Sequence, residues 1–381
     1  MKILHIEDYF DPSAGYQINE LLYASKDFND EVFLITSNDM SPFHKQFDIV
    51  LDTEFENKTG VKIYRLDSII KISSRLILKE LKETIKLINP DVVFMHGICD
   101  FKDLQLLKKK SNYKIIRDCH MSWVASKNKF RHLFYFFFRL FFAPIINKTN
   151  KYDIIYALGD EEYEYLNKIG INDNKIGYLP HGFNDTLMYY DGNERELVRL
   201  QYGFKKNDVV ISYIGKFDYT KMPDIILDIV NKFEKKYIDD RSLKLLFIGP
   251  KNQDYMNKFN KKLNDIKNII QVIVDDSKPF SELRKYYSAS DICIFPKETT
   301  LSSIHAQVCG CPVIMENHKS NRERVIDNNN LFESNDLVQA NQILKRIIDN
   351  EEFKKSNYYN STLLDRDYKN QIRKIQRLIK K

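Results

Sequence analysis

The chain has few cysteines, no apolar run long enough to cross a bilayer and no metal-binding signature, and each absence narrows its chemistry. Its five cysteines, Cys99, Cys119, Cys293, Cys309 and Cys311, are odd in number and scattered through strand and helix patterns. That excludes a disulfide framework and points to reduced thiols. Cys309-Gly310-Cys311 has no second pair at zinc-like spacing, so these thiols read as small buried side chains. No Asp-x-Asp motif stands at a strand end; Asp239-Asp240 and Asp275-Asp276 read as loop charges, and no metal is expected. The first ten residues, MKILHIEDYF, have neither a basic nor an apolar leader region and read as a first strand rather than a signal peptide. There is no aromatic-basic nucleic-acid module, and a formal charge of +6 over 381 residues does not call for nucleic acid. Internal repeats and low-complexity linkers are absent too.

What is present suits two folded domains. At 43% hydrophobic and 29% charged, the composition is that of a globular protein with sizeable cores. The first half alternates strand and helix patterns, the mark of a doubly wound α/β domain. Strands are expected at residues 2–6, 31–36, 61–66, 91–96, 114–117 and 153–158, with helices at 16–25 and 73–88. Ligands bind beyond the carboxyl ends of strands in such sheets. This sets Gly15, His96, Gly97, Asp118, His120, Gly159 and Asp160 along one rim. A second series of strands, 208–214, 243–248, 269–274 and 292–295, follows residue 188.

Three stretches carry chemistry. Residues 291–316, DICIFPKETTLSSIHAQVCGCPVIME, read as a buried strand, a polar loop and a helix capped by Ser302 or Ser303. Gly310 ends that helix, and a further strand follows. The loop from Glu298 through Leu301 and the amides at Ser302 and Ser303 would face an anion, with Glu298 and His305 able to hold sugar or ribose hydroxyls. Gly215-Lys216 and Lys221 follow another strand and set two ammonium groups where a diphosphate would sit. Gly249 follows the next strand. The third stretch, residues 127–151 (KNKFRHLFYFFFRLFFAPIINKTNK), is aromatic and basic. It is too short and too charged to span a bilayer, which needs ~20 apolar residues. It fits a helix lying on an anionic membrane surface, or else a helix packed in the core.

These residues resemble the donor-site signature of retaining glycosyltransferases of the GT-B fold, family 4 type (glycosyl transferases group 1). Glu298 matches the first glutamate of that signature, and Ala306 with Cys309-Gly310-Cys311-Pro312-Val313 matches its tail. His305 stands in place of the second glutamate, one residue early, and Thr299-Thr300 replace the usual glycine and aromatic. Lys216 and Lys221 match the basic pair that neutralises the leaving nucleoside diphosphate, and Gly15 the donor-contacting glycine. His120 matches the histidine near the acceptor and reacting sugar, and residues 181–185 (HGFND) the crossing between domains.

The resemblance implies two Rossmann-like doubly wound domains facing each other across a cleft: 1–187 for the acceptor, with a final helix at 362–381 packing back, and 188–361 for the donor. It implies retaining transfer without a metal or other cofactor, from a nucleotide-diphosphate sugar, UDP-sugar first, to a glycan acceptor; the aromatic stretch 127–151 suggests that this acceptor is lipid-linked, as in surface polysaccharide synthesis. Glu298, His120, Lys216 and Lys221 would carry the catalysis, in a protein at the cytoplasmic face of the membrane. The alternatives are an altered subunit supporting a partner transferase, or a nucleotide-sugar epimerase.

Overall fold

In the computed structural model, residues 1–41, 45–72, 74–106, 112–121, 131–148, 152–354 and 361–379 are described. The chain forms two compact units, one of residues 1–181 with 368–381 and one of residues 182–367. Each is built on a parallel sheet.

The first sheet contains β1 (Lys2–Ile6), β2 (Glu31–Ser37), β3 (Lys62–Leu66), β4 (Val92–Met95), β5 (Lys114–Cys119), β6 (Tyr152–Ala157) and β7 (Ile176–Tyr178). Their spatial order is β7-β6-β5-β4-β1-β2-β3. The order reverses at β1, whose neighbours are β2 and β4, so a topological switch point opens beyond the carboxyl ends of β1 and β4. Strand β4 is wholly buried, as an apolar run covered on both faces must be. The last helix, Tyr368–Ile379, belongs to this unit; its Tyr368, Ile372 and Ile375 pack with Leu21 and Ala24 of the helix Gln17–Ser25.

The second sheet contains β8 (Val209–Ile214), β9 (Leu243–Ile248), β10 (Gln271–Asp275), β11 (Ile292–Phe295), β12 (Val313–Glu316) and β13 (Leu331–Phe332), in the order β10-β9-β8-β11-β12-β13. Its switch point lies between β8 and β11, which pair directly. Gly249 follows β9 at φ +154, and a Cβ there would lie 1.8 Å from the Gly215 carbonyl oxygen. Only glycine lets these two turns approach so closely, with the Gly215 amide bonded to Ile248 O at 2.9 Å. Gly310, at φ +92, ends the helix Ser302–Val308: its amide bonds Gln307 O and that of Cys311 bonds Ala306 O, a Schellman arrangement.

Two local expectations are corrected. The helix expected over residues 73–88 spans only Leu81–Ile88; Ser73 lies outside the described residues, and Arg75–Leu78 is a strand paired antiparallel with Ser68–Ile72. The isoleucine-rich sequence suits a ribbon, and Glu80, at φ 58, separates it from the helix. The helix after β11 has no serine cap. Leu301 stands at its N-cap without a side-chain bond, while the Ser303 hydroxyl donates to Thr300 O at 2.7 Å. All five cysteines are buried and unpaired by disulfides.

The variant Gly249→Ala is expected to lose about 2–3 kcal/mol, the scale of a forced overpacking. A lowered unfolding midpoint together with faster amide exchange in β8 and β9 is the result to look for; an unchanged midpoint would mean the two turns are not fixed against each other.

Candidate active site

In the second unit the site is built at the switch point by the turns after β8 and β11. After β8, the Asp218 carboxylate accepts from the amides of Thr220 and Lys221 at 2.9 and 3.0 Å and from the Thr220 hydroxyl at 2.6 Å. This turn, together with Met222 at φ 47, aims Lys221 back across the strand ends. Its Nζ donates to Thr299 O at 2.8 Å and Glu298 O at 3.2 Å, with the Glu298 carboxylate 3.7 Å away. The Glu298 amide returns a bond to Thr220 O at 3.3 Å. Lys221 and Glu298, distant in sequence, therefore share one locus, with Lys216 close enough to act electrostatically on Lys221. Lys216 and Glu298 are exposed, and the Tyr213 hydroxyl fixes the backbone at Lys216 O, 2.7 Å away.

The electrostatics of this locus are cationic. Burial lowers the Lys221 pKa; Glu298 and Asp218 oppose that, and Arg324 and Lys216 push it down further. Arg324, which the sequence reading missed, is buried and comes from the turn after the helix Lys319–Arg322. Gln307 holds that turn, donating to Arg324 O at 2.9 Å and accepting from the Ile326 amide at 2.7 Å. Buried Asn321 accepts from the Thr299 hydroxyl at 2.8 Å and donates to Glu316 O at 2.9 Å, tying the loop of Glu298 to the same turn. No motif marks Arg324 or Asn321; a polar run after a buried strand was the available signal.

The other expected donor residues lie differently. The Ser302 amide bonds the Thr300 hydroxyl at 3.3 Å, and those of Ser303 and Ile304 bond Thr300 O and Leu301 O. These amides are occupied within the turn, so positive charge at this site comes from side chains. His305 is buried, its ring centroid 5.5 Å from Phe280 and 6.4 Å from Tyr287.

In the first unit a chain of imidazoles and carboxylates lies at the other switch point. His5 Nδ1 is 2.9 Å from His96 Nε2, and His96 Nδ1 is 2.6 Å from Asp118. The second Asp118 oxygen accepts from the Gly97 amide at 2.9 Å and meets His120 Nε2 at 2.9 Å. When His96 donates from Nδ1 to Asp118, its Nε2 is left to accept from His5. Burial works against a charged His120, but the charge and hydrogen bond of Asp118 outweigh it and push His120 up to about 9. Burial likewise opposes the Asp118 anion, yet His120 and His96 hold it well below the usual carboxylate range. His5 is kept neutral by burial and by His96.

His120, about a third exposed, is thus an imidazolium at neutral pH, a hydrogen-bond donor rather than a base. Glu7, just beyond β1 and not foreseen, has its pKa raised by burial while Lys102, then His96 and His120, oppose that. Gly15 lies in the loop between β1 and the helix Gln17–Ser25, which Asn19 braces by donating to Asp11 O at 2.9 Å. Ligand-capable atoms of His96, Asp118 and His120 fall within 4.8 Å of one another, a spacing that suits a cation, although here they bond each other.

Comparison with known proteins gives matches to part of the chain and to its fold. Residues 194–363 match "Glycosyl transferases group 1". The capsular polysaccharide biosynthesis glycosyltransferase CapH of Staphylococcus aureus is 25% identical over 280 residues, 72% of this chain and 71% of CapH. A glycosyltransferase from Rickettsia africae has a similar structure, with TM-score 0.74 at 18% identity over 100% of this chain and 97% of that one. HepE of Anabaena, solved in complex with UDP and glucose, gives TM-score 0.70 at 14% identity over 99% of each chain. These structural likenesses speak to the fold.

The His120 ring is expected to titrate near pH 9 in NMR, and lower in Asp118→Asn, where only Glu7 and Glu162 remain to oppose burial. The pair's contribution to stability is then full below about pH 6.5 and lost as pH rises through about 9. A wild-type ring titrating at 6.5 would show that Asp118 does not hold it.

Proposed function

With the chain as a group 1 glycosyltransferase of the GT-B fold, we propose that it transfers a sugar from a nucleoside diphosphate donor, UDP-sugar first, to a glycan on a lipid carrier, with retention at the anomeric carbon. The observation that carries this reading is Lys221, half-buried and bonded to Glu298 O and Thr299 O, with its pKa depressed by desolvation and by Arg324 and Lys216. Such a site favours a ligand that brings negative charge. A leaving diphosphate gains charge as the glycosidic bond breaks, and fixed cations stabilise that transition state without reorganising. The same cations supply what a bound divalent ion would, so transfer proceeds without a metal. Glu298, on the loop that Lys221 holds, is placed to bind sugar hydroxyls.

The donor is taken as UDP-linked because the similar HepE is solved with UDP and with UDP-glucose, and the glycan product because CapH acts in capsular polysaccharide biosynthesis. The acceptor is assigned to the first unit, where the His120 imidazolium donates to a hydroxyl or phosphate oxygen near Gly15. The acceptor hydroxyl gives its proton to the departing phosphate, so no protein nucleophile is required. A second reading, an altered subunit that binds donor without turning it over, is favoured by His305 packing against Phe280 and Tyr287 in the place of a glutamate.

Calorimetry with UDP, GDP, ADP, CMP and their sugars separates these readings. UDP is expected to bind saturably with or without EDTA. The variants Lys216→Ala/Lys221→Ala and Arg324→Gln should lose ~10- to 100-fold in affinity, the weight of one or two charge-assisted hydrogen bonds. Binding without any transfer to extracted lipid-linked glycans would favour the subunit, and no nucleotide binding would overturn both.

A further inference from the structure

The first unit leaves a large apolar surface exposed on two elements. One is the continuous helical segment formed by Arg131–Phe137, the π-helical turn Phe138–Phe142 and Ala143–Lys148. Its Tyr135, Phe138, Ala143 and Ile146 are buried in the core. On its other side Leu133, Phe136, Phe137, Leu140, Phe141 and Ile145 are 46–61% exposed. The core reading of this segment therefore holds for one face, and the other face is exposed. Lys127, Lys129 and Lys151, which also entered that reading, lie outside the described residues.

The second element is the hairpin of Ser68–Ile72 and Arg75–Leu78, where Ile69, Ile70 and Ile72 are 43–63% exposed. Ile72 pairs with Arg75, and Ile70 with Ile77, so Ile70, Ile72 and Arg75 share a face of the ribbon. Arg75 reaches the helical segment, its guanidinium 4.5 Å from the Phe134 ring centroid. Hairpin and helix are thereby joined into one patch. Scattered exposed apolar residues are ordinary, but a contiguous patch marks a partner.

The charge along the helical element indicates which partner. Between Asp118 and Asp153 the sequence has no Asp or Glu, while Lys127, Lys129, Arg131, Arg139, Lys148 and Lys151 all fall within it. Aromatic side chains flanked by cations and free of carboxylates match a surface of acyl chains beneath anionic head groups. No helix among the described residues is long and apolar enough to cross a membrane, so the patch would lie on the surface.

We propose that this hairpin and helix form one docking surface for an anionic lipid bilayer, holding the first unit against the membrane that carries the acceptor. The surface stands on exposure and charge alone; its role in presenting a lipid-linked acceptor rests on the transfer reading. An interfacial seat of this kind removes the need for the lipid carrier to leave the bilayer.

The test is sedimentation of the full chain with vesicles of phosphatidylcholine alone or with phosphatidylglycerol added, at low and high salt. The wild type is expected to partition at least tenfold more strongly onto the anionic vesicles, less so in high salt. The exposed-face variants Phe136→Ser/Leu140→Ser and Ile70→Ser/Ile72→Ser should each lose most of that partition while keeping wild-type circular dichroism and UDP affinity. Wild type remaining in solution with both vesicle types would overturn the proposal. So would variants that bind as well as wild type, or variants that differ only by converting a dimer to a monomer. Vesicle binding without UDP binding would instead leave the surface standing and remove the transferase reading.

Discussion

Placing the Lys221 ammonium beneath a loop, within reach of two other cations, is the constraint on which the second unit's site depends. Burial disfavours the charge, and Arg324 and Lys216 add to that cost. Two carbonyl acceptors and Glu298 offset it only in part. A protein gains nothing in stability from such an arrangement, which is costly in the folded state and relieved by an anion. The rest of the unit supports it. Asp218 forms the turn that turns Lys221 back, Gly249 lets the neighbouring turn close against Gly215, and Asn321 and Gln307 fix the loops that present Glu298 and Arg324.

The same topology serves a different purpose in the first unit. Both sheets reverse order beside their first strand, and in each the reversal leaves a crevice where loops diverge. One crevice gathers lysine and arginine; the other gathers His5, His96, Asp118 and His120. Asp118 sits deeply buried between two imidazoles and a backbone amide, which orients His120 and keeps it charged. The first unit also carries the apolar hairpin and helix face.

Much of this was legible in the sequence because continuous apolar runs such as DVVFMH and DICIFP have few readings other than buried parallel strands. Once the strands were placed, Lys216, Lys221 and Glu298 fell at strand ends. Arg324 escaped because it reaches the site from a polar turn one strand further on, through a tertiary fold that no local pattern encodes. The chain of histidines was half seen: His96, Asp118 and His120 were placed on the rim, but His5 lies within a strand and its coupling to His96 depends on strand register. Residues 75–78 form a strand where a helix is expected because leucine and isoleucine at those spacings suit a helix face as well as a ribbon. The serine cap does not form because Thr300 and Leu301 accept from the first-turn amides that a serine cap would have bonded.

The most direct measurement is the titration of Lys221 itself, followed by NMR of the labelled lysine side chains and assigned with Lys221→Arg, without and with UDP. Lys221 should titrate below the ordinary lysine value of about 10.4 in the free protein and shift upward when UDP binds, as a diphosphate neutralises the cations around it. A Lys221 that titrates at the ordinary value and does not respond to UDP would contradict the account.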